Sequence, residues 1–122
     1  MPQTIHIEPQ KGYLFVEVSG KFDENNSRDF ILQIIKSSYE YNTFKVLVDI
    51  RDIKGPISTF SRFSLAEFIV NQRTSPPIQM AVVESPGQLD NPRFFENVAV
   101  NRGSRLKVFT TSANEAVEWL EI

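Results

Sequence analysis

The run KVLVDI, at residues 45–50, is short, apolar and rich in β-branched side chains. Such a run is typical of a strand that is covered on both faces, because a half-exposed strand alternates apolar and polar residues. A second run of this kind, IQMAVV, follows at residues 78–83. We therefore predict two buried strands, of which the first is central in its sheet.

The residues before this centre predict a hairpin and a helix. Residues 4–8 alternate apolar and polar side chains, and residues 13–18 are rich in strand formers. The turn residues Pro9 to Gly12 between them favour an antiparallel hairpin. Apolar side chains then recur at three- and four-residue spacing and indicate a helix over about 27–41. Four residues are candidates for its N-cap: Asp23, Asn25, Asn26 and Ser27.

The residues after the centre alternate helices with strands. Residues 58–72 contain no Pro or Gly and predict a helix that is apolar around much of its girth, although a capping box at Ser64 and Glu67 would start it later. We expect a third helix over residues 91–102, a strand at 106–109 and a last helix that begins at the Ser112 capping box.

The order β-β-α-β-α-β-α-β-α predicts one α/β domain over residues 1–122, with a mixed, mainly parallel five-stranded sheet and four helices. One antiparallel strand is expected at an edge.

Composition excludes several classes of protein. The 122 residues fill one domain, and 41% apolar with 23% charged residues is a globular composition. A net charge of -2 gives no field that favours nucleic acid, and zero Cys with one His removes thiolate, disulfide and His-rich metal chemistry. The sequence shows no signal peptide and no membrane span, so we expect a cytoplasmic protein. We also expect it to use no cofactor and no metal.

Four segments resemble one known family. They are VLVD at 46–49, MAVV at 80–83, VFTT at 108–111 and EAVEWL at 115–120. In this order they are similar to the STAS domain of anti-sigma-factor antagonists, and especially to the SpoIIAA-like proteins grouped as STAS/SEC14. The resemblance implies a bacterial, non-enzymatic regulatory module that binds a partner protein or a second copy of itself. Its SEC14 side implies an alternative, a carrier of a small apolar or lipid ligand.

The resemblance also directs attention to the start of the second predicted helix. Phosphorylatable STAS proteins carry an Asp-Ser pair there, and the matching positions here are Ser58 and Thr59, so the Asp is absent. Ser58, Thr59 and Ser61 are therefore candidates either for a phosphoacceptor or for a simple helix cap.

Ten Phe residues are many for this length. Phe60, Phe63 and Phe68 spread too widely around the second predicted helix for one sheet-facing stripe. The excess is covered by a partner, by a second copy, by an apolar ligand, or by neighbouring parts of the chain itself. Phe94 and Phe95 pose the same question on the third predicted helix. We expect an interaction surface on these two helices.

Three carboxylates fall at predicted strand ends, where open α/β sheets collect ligands: Asp49, Asp52 and Glu84. They are candidates for a Mg²⁺ site or an acid/base pair, but no Gly-rich phosphate loop accompanies them, and the simpler interpretation is that Asp49 anchors its loop by accepting backbone hydrogen bonds. Three cations near the same end could receive an anion: Arg51, Lys54 and Arg62. His6 is expected on a solvated strand face.

Overall fold

The computed structural model describes residues 2–86, 88, 96–97, 105–110 and 112–121. The elements, in chain order, are β1 (Thr4–Gln10), β2 (Tyr13–Lys21), α1 (Glu24–Glu40), β3 (Lys45–Lys54), α2 (Thr59–Asn71), β4 (Gln79–Glu84), β5 (Arg105–Thr110) and α3 (Ala113–Glu121).

The five strands form one sheet in the order β1-β2-β3-β4-β5, so β3 is central as its apolar run predicts. β1 pairs with β2 in the antiparallel sense, and every later pairing is parallel. The predicted mixed, mainly parallel sheet with one antiparallel edge strand is confirmed. All six side chains of β4 are buried, which explains why its four central residues, 80–83, are apolar without alternation.

The sheet separates two apolar cores. On one face, Val16, Val48 and Val82 pack with Ile34 of α1, and the half-buried Ile69 of α2 packs against them. The other face carries a smaller core that includes α3, formed by Leu47, Ala81, Val83, Phe109, Ala116 and Leu120. Helices therefore cover both faces, with α1 and α2 on one side and α3 on the other.

The helix starts follow their caps. α1 begins three residues earlier than the apolar periodicity indicates, because the Asp23 side chain accepts a hydrogen bond from the Asn26 backbone N–H at 2.9 Å. Ser58 caps α2 in the same way, so the later start at Ser64 was a wrong alternative. At α3 the Ser112 hydroxyl accepts from the Glu115 backbone N–H at 3.2 Å, as the predicted capping box requires.

The helix predicted over residues 91–102 falls where the structure describes only Glu96 and Asn97, so the described part of the chain contains three helices instead of four. Glu96 itself is buried, and its Oε2 accepts a hydrogen bond from the Val108 backbone N–H at 2.6 Å. Because β5 is the last strand of the sheet, this carboxylate satisfies a backbone donor of an edge strand.

The amino-terminal segment is fastened to α1 by Gln3, which is buried. Its Nε2 donates to the Ser27 hydroxyl at 3.0 Å, and its Oε1 accepts from the Asp23 backbone N–H at 2.8 Å. The segment passes so close to Gly20 that a Cβ at that residue would overlap the Pro2 carbonyl. Gly20, with a φ of 97°, therefore lets the chain start cross the end of β2.

Candidate functional site

Ser58 occupies the N-cap of α2 and is exposed. Its Oγ accepts from the Ser61 backbone N–H at 3.0 Å and donates to the Ser61 hydroxyl at 3.1 Å. The Thr59 side chain lies outside the described part of the structure. The Ser58 hydroxyl therefore caps α2, and it lies at a helix start that is exposed to solvent.

The aromatic side chains of α2 are covered unequally. Phe60 is 77% exposed, whereas Phe63 and Phe68 are half-buried. The Arg28 guanidinium of α1 lies over the Phe68 ring, 5.1 Å from its centroid, and so covers part of it. Phe94 and Phe95 of the predicted interaction surface lie outside the described residues. Of the three rings on α2, Phe60 is the one left in solvent.

A polar cluster joins the first turns of α1 and α2. The Glu24 carboxylate accepts from Arg28 at 3.2 Å and from the Ser64 hydroxyl at 3.3 Å, and Arg28 also donates to Ser64. A hydrogen bond from Ser61, supported by Arg28 and Ser64, lowers the pKa of Glu24 in spite of the desolvation that opposes it. Nothing in the sequence pairs Glu24 with Ser61 or Ser64, so this cluster was not predicted.

Asp49 was predicted at a strand end, but it lies within β3, because that strand continues to Lys54. Its side chain is buried. Both of its carboxylate oxygens accept from the Arg51 guanidinium, at 3.0 and 2.7 Å, and one also accepts the Arg51 backbone N–H at 3.0 Å. Burial acts to raise the pKa of Asp49, but the hydrogen bonds and charge of Arg51 outweigh it and hold the pKa below its usual range. Asp49 therefore accepts a backbone hydrogen bond as predicted, but from within β3 and not from a loop, and the Arg51 guanidinium binds its carboxylate.

The other predicted carboxylates do not join Asp49 in a metal site. Asp52 is exposed and lies within β3, because that strand continues to Lys54 through an irregular register opposite Glu17 and Ser19. Glu84 is buried, and its Oε1 accepts from the Thr110 hydroxyl at 3.1 Å. The described residues contain no group of three or more His, Cys, Asp or Glu residues that could hold a metal ion.

Two further predictions concern single side chains. Arg62 of α2, expected among surface cations, is buried at 2% exposure, which corrects that prediction; Lys54 is exposed. His6 is exposed on β1, with its Nε2 3.5 Å from the Glu8 carboxylate, as a solvated strand face requires.

A cleft separates α1, α2 and the sheet. One cavity of about 290 Å³ opens beside the carboxyl end of α2, and a second of about 110 Å³ lies deeper, toward Phe22 and Phe30. Ile31, Ile69 and Met80 line both cavities, so the two adjoin. Among the α2 side chains that the structure describes, only Arg62 and Ala66 are buried. An apolar ligand was one of the covers that the angular spread of the α2 aromatic residues left open, but Phe60, Phe63 and Phe68 line neither cavity.

Comparisons with known proteins show which proteins share this architecture. The sequence model of the SpoIIAA-like family matches residues 13–121. An anti-sigma factor antagonist from Mycobacterium paratuberculosis has a similar structure, with a TM-score of 0.67, 14% sequence identity, and coverage of 99% of this chain and 96% of that one. An uncharacterised DUF3478-family protein with a SpoIIAA-like fold, from Shewanella loihica PV-4, has a TM-score of 0.56 and 16% identity over 97% of this chain and 93% of that one. At these identities the structural likeness concerns the fold alone.

A search of curated proteins finds no match. In the ranges that the structure describes, none of the helices combines the length and the apolar composition needed to cross a membrane. The resemblance to the SpoIIAA-like family, stated from four short segments of sequence, is confirmed by the family match.

Proposed function

Because the chain belongs to the SpoIIAA-like family, we propose that it is a non-enzymatic regulatory module that binds a partner protein through the start of α2. The structural neighbour from Mycobacterium paratuberculosis is an anti-sigma factor antagonist, so we propose a partner of the anti-sigma-factor class. One observation carries the proposal: Phe60 is 77% exposed in the first turn of α2, beside the exposed cap Ser58. The helix predicted over 91–102, with Phe94 and Phe95, is proposed as a second part of the surface.

The physical case for docking at Phe60 is the area that this ring leaves in water. A Phe side chain buries roughly 200 Å² when it is fully covered, so about 150 Å² of Phe60 remains to be covered. At about 25 cal/mol per Å², covering it contributes up to about 4 kcal/mol, which is the size of an interface hot spot. Ser58 beside it adds a hydroxyl that can hydrogen-bond to the partner.

The surroundings of the carboxylates support a role without catalysis. A general base needs an oxygen that can reach a substrate proton. Both oxygens of Asp49 are occupied by Arg51, and Glu84 is buried with one oxygen accepting from Thr110. We therefore propose that these residues serve the fold, Asp49 by binding Arg51 within β3 and Glu84 by joining β4 to β5.

We propose that Ser58 acts first as a cap. A phosphate on its exposed hydroxyl would meet the positive end of the α2 dipole, which tolerates it, whereas a phosphate on Ser61 would meet the Glu24 carboxylate that Ser61 contacts. Of the candidate phosphoacceptors whose side chains are described, Ser58 is thus the one that suits modification.

The test measures binding of the wild type and of Phe60→Ser to an anti-sigma-factor-class protein from the same organism, by biolayer interferometry. Light scattering on the isolated chain reports the alternative partner, a second copy. We expect Phe60→Ser to weaken binding at least thirtyfold, which corresponds to about 2 kcal/mol. Leu32→Ser is the matched control, because Leu32 is an exposed apolar residue of α1, at 46% exposure. Equal binding by Phe60→Ser and wild type would contradict docking at Phe60, and a strict monomer that binds no such partner would contradict the module itself.

A second candidate function is the carrier of a small apolar ligand that the resemblance also implies. The cavities of about 290 and 110 Å³ beneath α2 favour it, because their combined size reaches the range of small-molecule sites. Native mass spectrometry of the purified protein tests this function; protein that never carries or takes up a bound species would remove it.

A further inference from the structure

We infer that the cleft between α1 and α2 binds an amphipathic carboxylate, an alkyl chain ended by one carboxylate group, with the carboxylate at Arg73 and Arg105. The inference rests on the second candidate function, the ligand carrier, and names the chemistry of its ligand.

The shape of the cleft suits a chain that enters from one end. The outer cavity, about 290 Å³, is lined by Ile35, Val70 and Leu106 among others, and it adjoins the inner cavity of about 110 Å³ at Ile31, Ile69 and Met80. A ligand site of ordinary size occupies roughly 300 to 1,000 Å³, so this cleft suits a slender ligand. A single alkyl chain fits this description, because it can follow the path from the outer cavity into the inner one.

The charged residues of the cleft favour a carboxylate as the end group of the ligand. Arg73 and Arg105 line the outer cavity, and within the described part of the chain their side chains form no salt bridge. No Asp or Glu is found among the described residues that line either cavity. An open depression next to the mouth shares Pro77 and Arg105 with it and adds Lys45. Two arginines thus line the outer cavity and a lysine lies in the adjoining depression, in a chain whose net charge is -2.

The inner end of the cleft does not offer a rival position for the carboxylate. Gln3 and Arg62 line the inner cavity. Gln3 is already hydrogen-bonded to Ser27 and to the Asp23 backbone, and Arg62 has interactions of its own within the protein. The remaining lining of that cavity is mainly apolar, as at Val18, Val48 and other side chains of the core. The chain is therefore expected to lie inward and the carboxylate outward, where two exposed arginines meet it.

Three probes separate the contributions of chain and charge: octanoate has both, 1-octanol has the chain alone, and acetate has the charge alone. Binding of each probe to the 122-residue protein is measured by titration calorimetry and by amide chemical shifts in ¹H–¹⁵N spectra. We expect octanoate to bind at least tenfold more tightly than either of the other probes, with shifts at residues of the outer cavity. Arg73→Gln and Arg105→Gln should each weaken octanoate roughly fivefold and leave octanol unchanged.

Lys36→Gln is the matched control, since Lys36 is an exposed cation of α1 that lines neither cavity, and it should leave octanoate binding unchanged. Val70→Phe, which adds volume inside the outer cavity, should weaken octanoate and octanol together. Octanol that binds as tightly as octanoate, or arginine variants that behave like Lys36→Gln, would overturn the carboxylate assignment. Absence of octanoate binding would overturn it as well.

This outcome is separate from that of the docking surface. Phe60 lines neither cavity, so Phe60→Ser should bind octanoate like the wild type even where it loses its protein partner. If octanol binds and octanoate has no advantage, the ligand carrier survives and only its anionic ligand is lost.

Discussion

Replacing Gly20 with Ala tests whether the amino-terminal segment is a fixed part of the fold. The residue has a φ of 97°, and a Cβ there would overlap the Pro2 carbonyl. The segment must then move away, and Gln3 loses its hydrogen bonds to Ser27 and to the Asp23 backbone N–H. Gly12→Ala is the matched control, because its φ is 89° and nothing lies within 4 Å of the added methyl group.

The expected free energies differ enough to be measured. A positive φ costs a non-Gly residue about 1–2 kcal/mol, and reduced freedom of the unfolded chain returns about 0.4–1 kcal/mol, so Gly12→Ala should cost about 1 kcal/mol. Gly20→Ala adds two lost hydrogen bonds at about 1 kcal/mol each, for a total of about 3 kcal/mol. Urea unfolding followed by the fluorescence of Trp119 measures both.

A double variant completes this test. Gln3→Ala alone should cost about 2 kcal/mol, and combined with Gly20→Ala it should add little, because both changes remove the same bonds. Equal losses of stability for Gly20→Ala and Gly12→Ala, or full additivity with Gln3→Ala, would refute the role given to the segment.

Three further variants test individual contacts. Ser58→Ala should lower the free energy of unfolding by about 1 kcal/mol in urea titrations, whereas Ser58→Asp should retain most of it because Asp also caps helices; equal losses would contradict the cap. Asp49→Asn should lower the free energy of unfolding by about 1–2 kcal/mol near neutral pH. The pKa of Asp49 is lowered in the folded state, so the carboxylate stabilises the fold above its unfolded pKa and stops doing so as it is protonated. The difference in stability between Asp49→Asn and the wild type should therefore shrink below about pH 4. A difference that stays constant down to about pH 2 would be inconsistent with the Arg51 pair. Glu96→Ala should cost about 1–3 kcal/mol by leaving the Val108 N–H without its carboxylate, and Asn97→Ala, at the exposed neighbour, should cost little; similar values for the two would count against the edge contact.

Most of the sheet could be predicted because its residues carry local information. The β-branched runs at Val46 and Val82 identify strands that are covered on both faces, and the hairpin and crossover rules then set the direction of each strand. Strand ends were less predictable. β3 continues past Ile50 to Lys54 because its pairing with β2 resumes after the irregularity near Ser19, and the residue types alone do not report this pairing.

The candidate site was predictable in part. The excess of aromatic residues on α2 follows from angular position alone, and the exposure of Phe60 agrees with it. The contacts that join elements were not predictable: Glu24 meets Ser64 forty positions away, and Glu96 meets Val108 across twelve. Such pairs depend on how the helices and strands pack against one another. The residue pattern of a single sequence does not report this packing.

The apolar residues of α2 lie on several sides of the helix because its two ends have different neighbours. A helix of 13 residues spans about 20 Å, and its two ends have different neighbours. At the start, Phe60 projects into solvent while Ser61 and Ser64 contact Glu24 of α1. At the end, Ile69 and Val70 pack against the core and also line the cavity of about 290 Å³. A helix that packs on a sheet along its whole length needs one apolar stripe. A helix that lines a cleft and also exposes an aromatic ring has apolar residues on several sides. This distribution of apolar residues agrees with the two proposed binding roles of α2, and substitutions at its two ends should then affect different ligands.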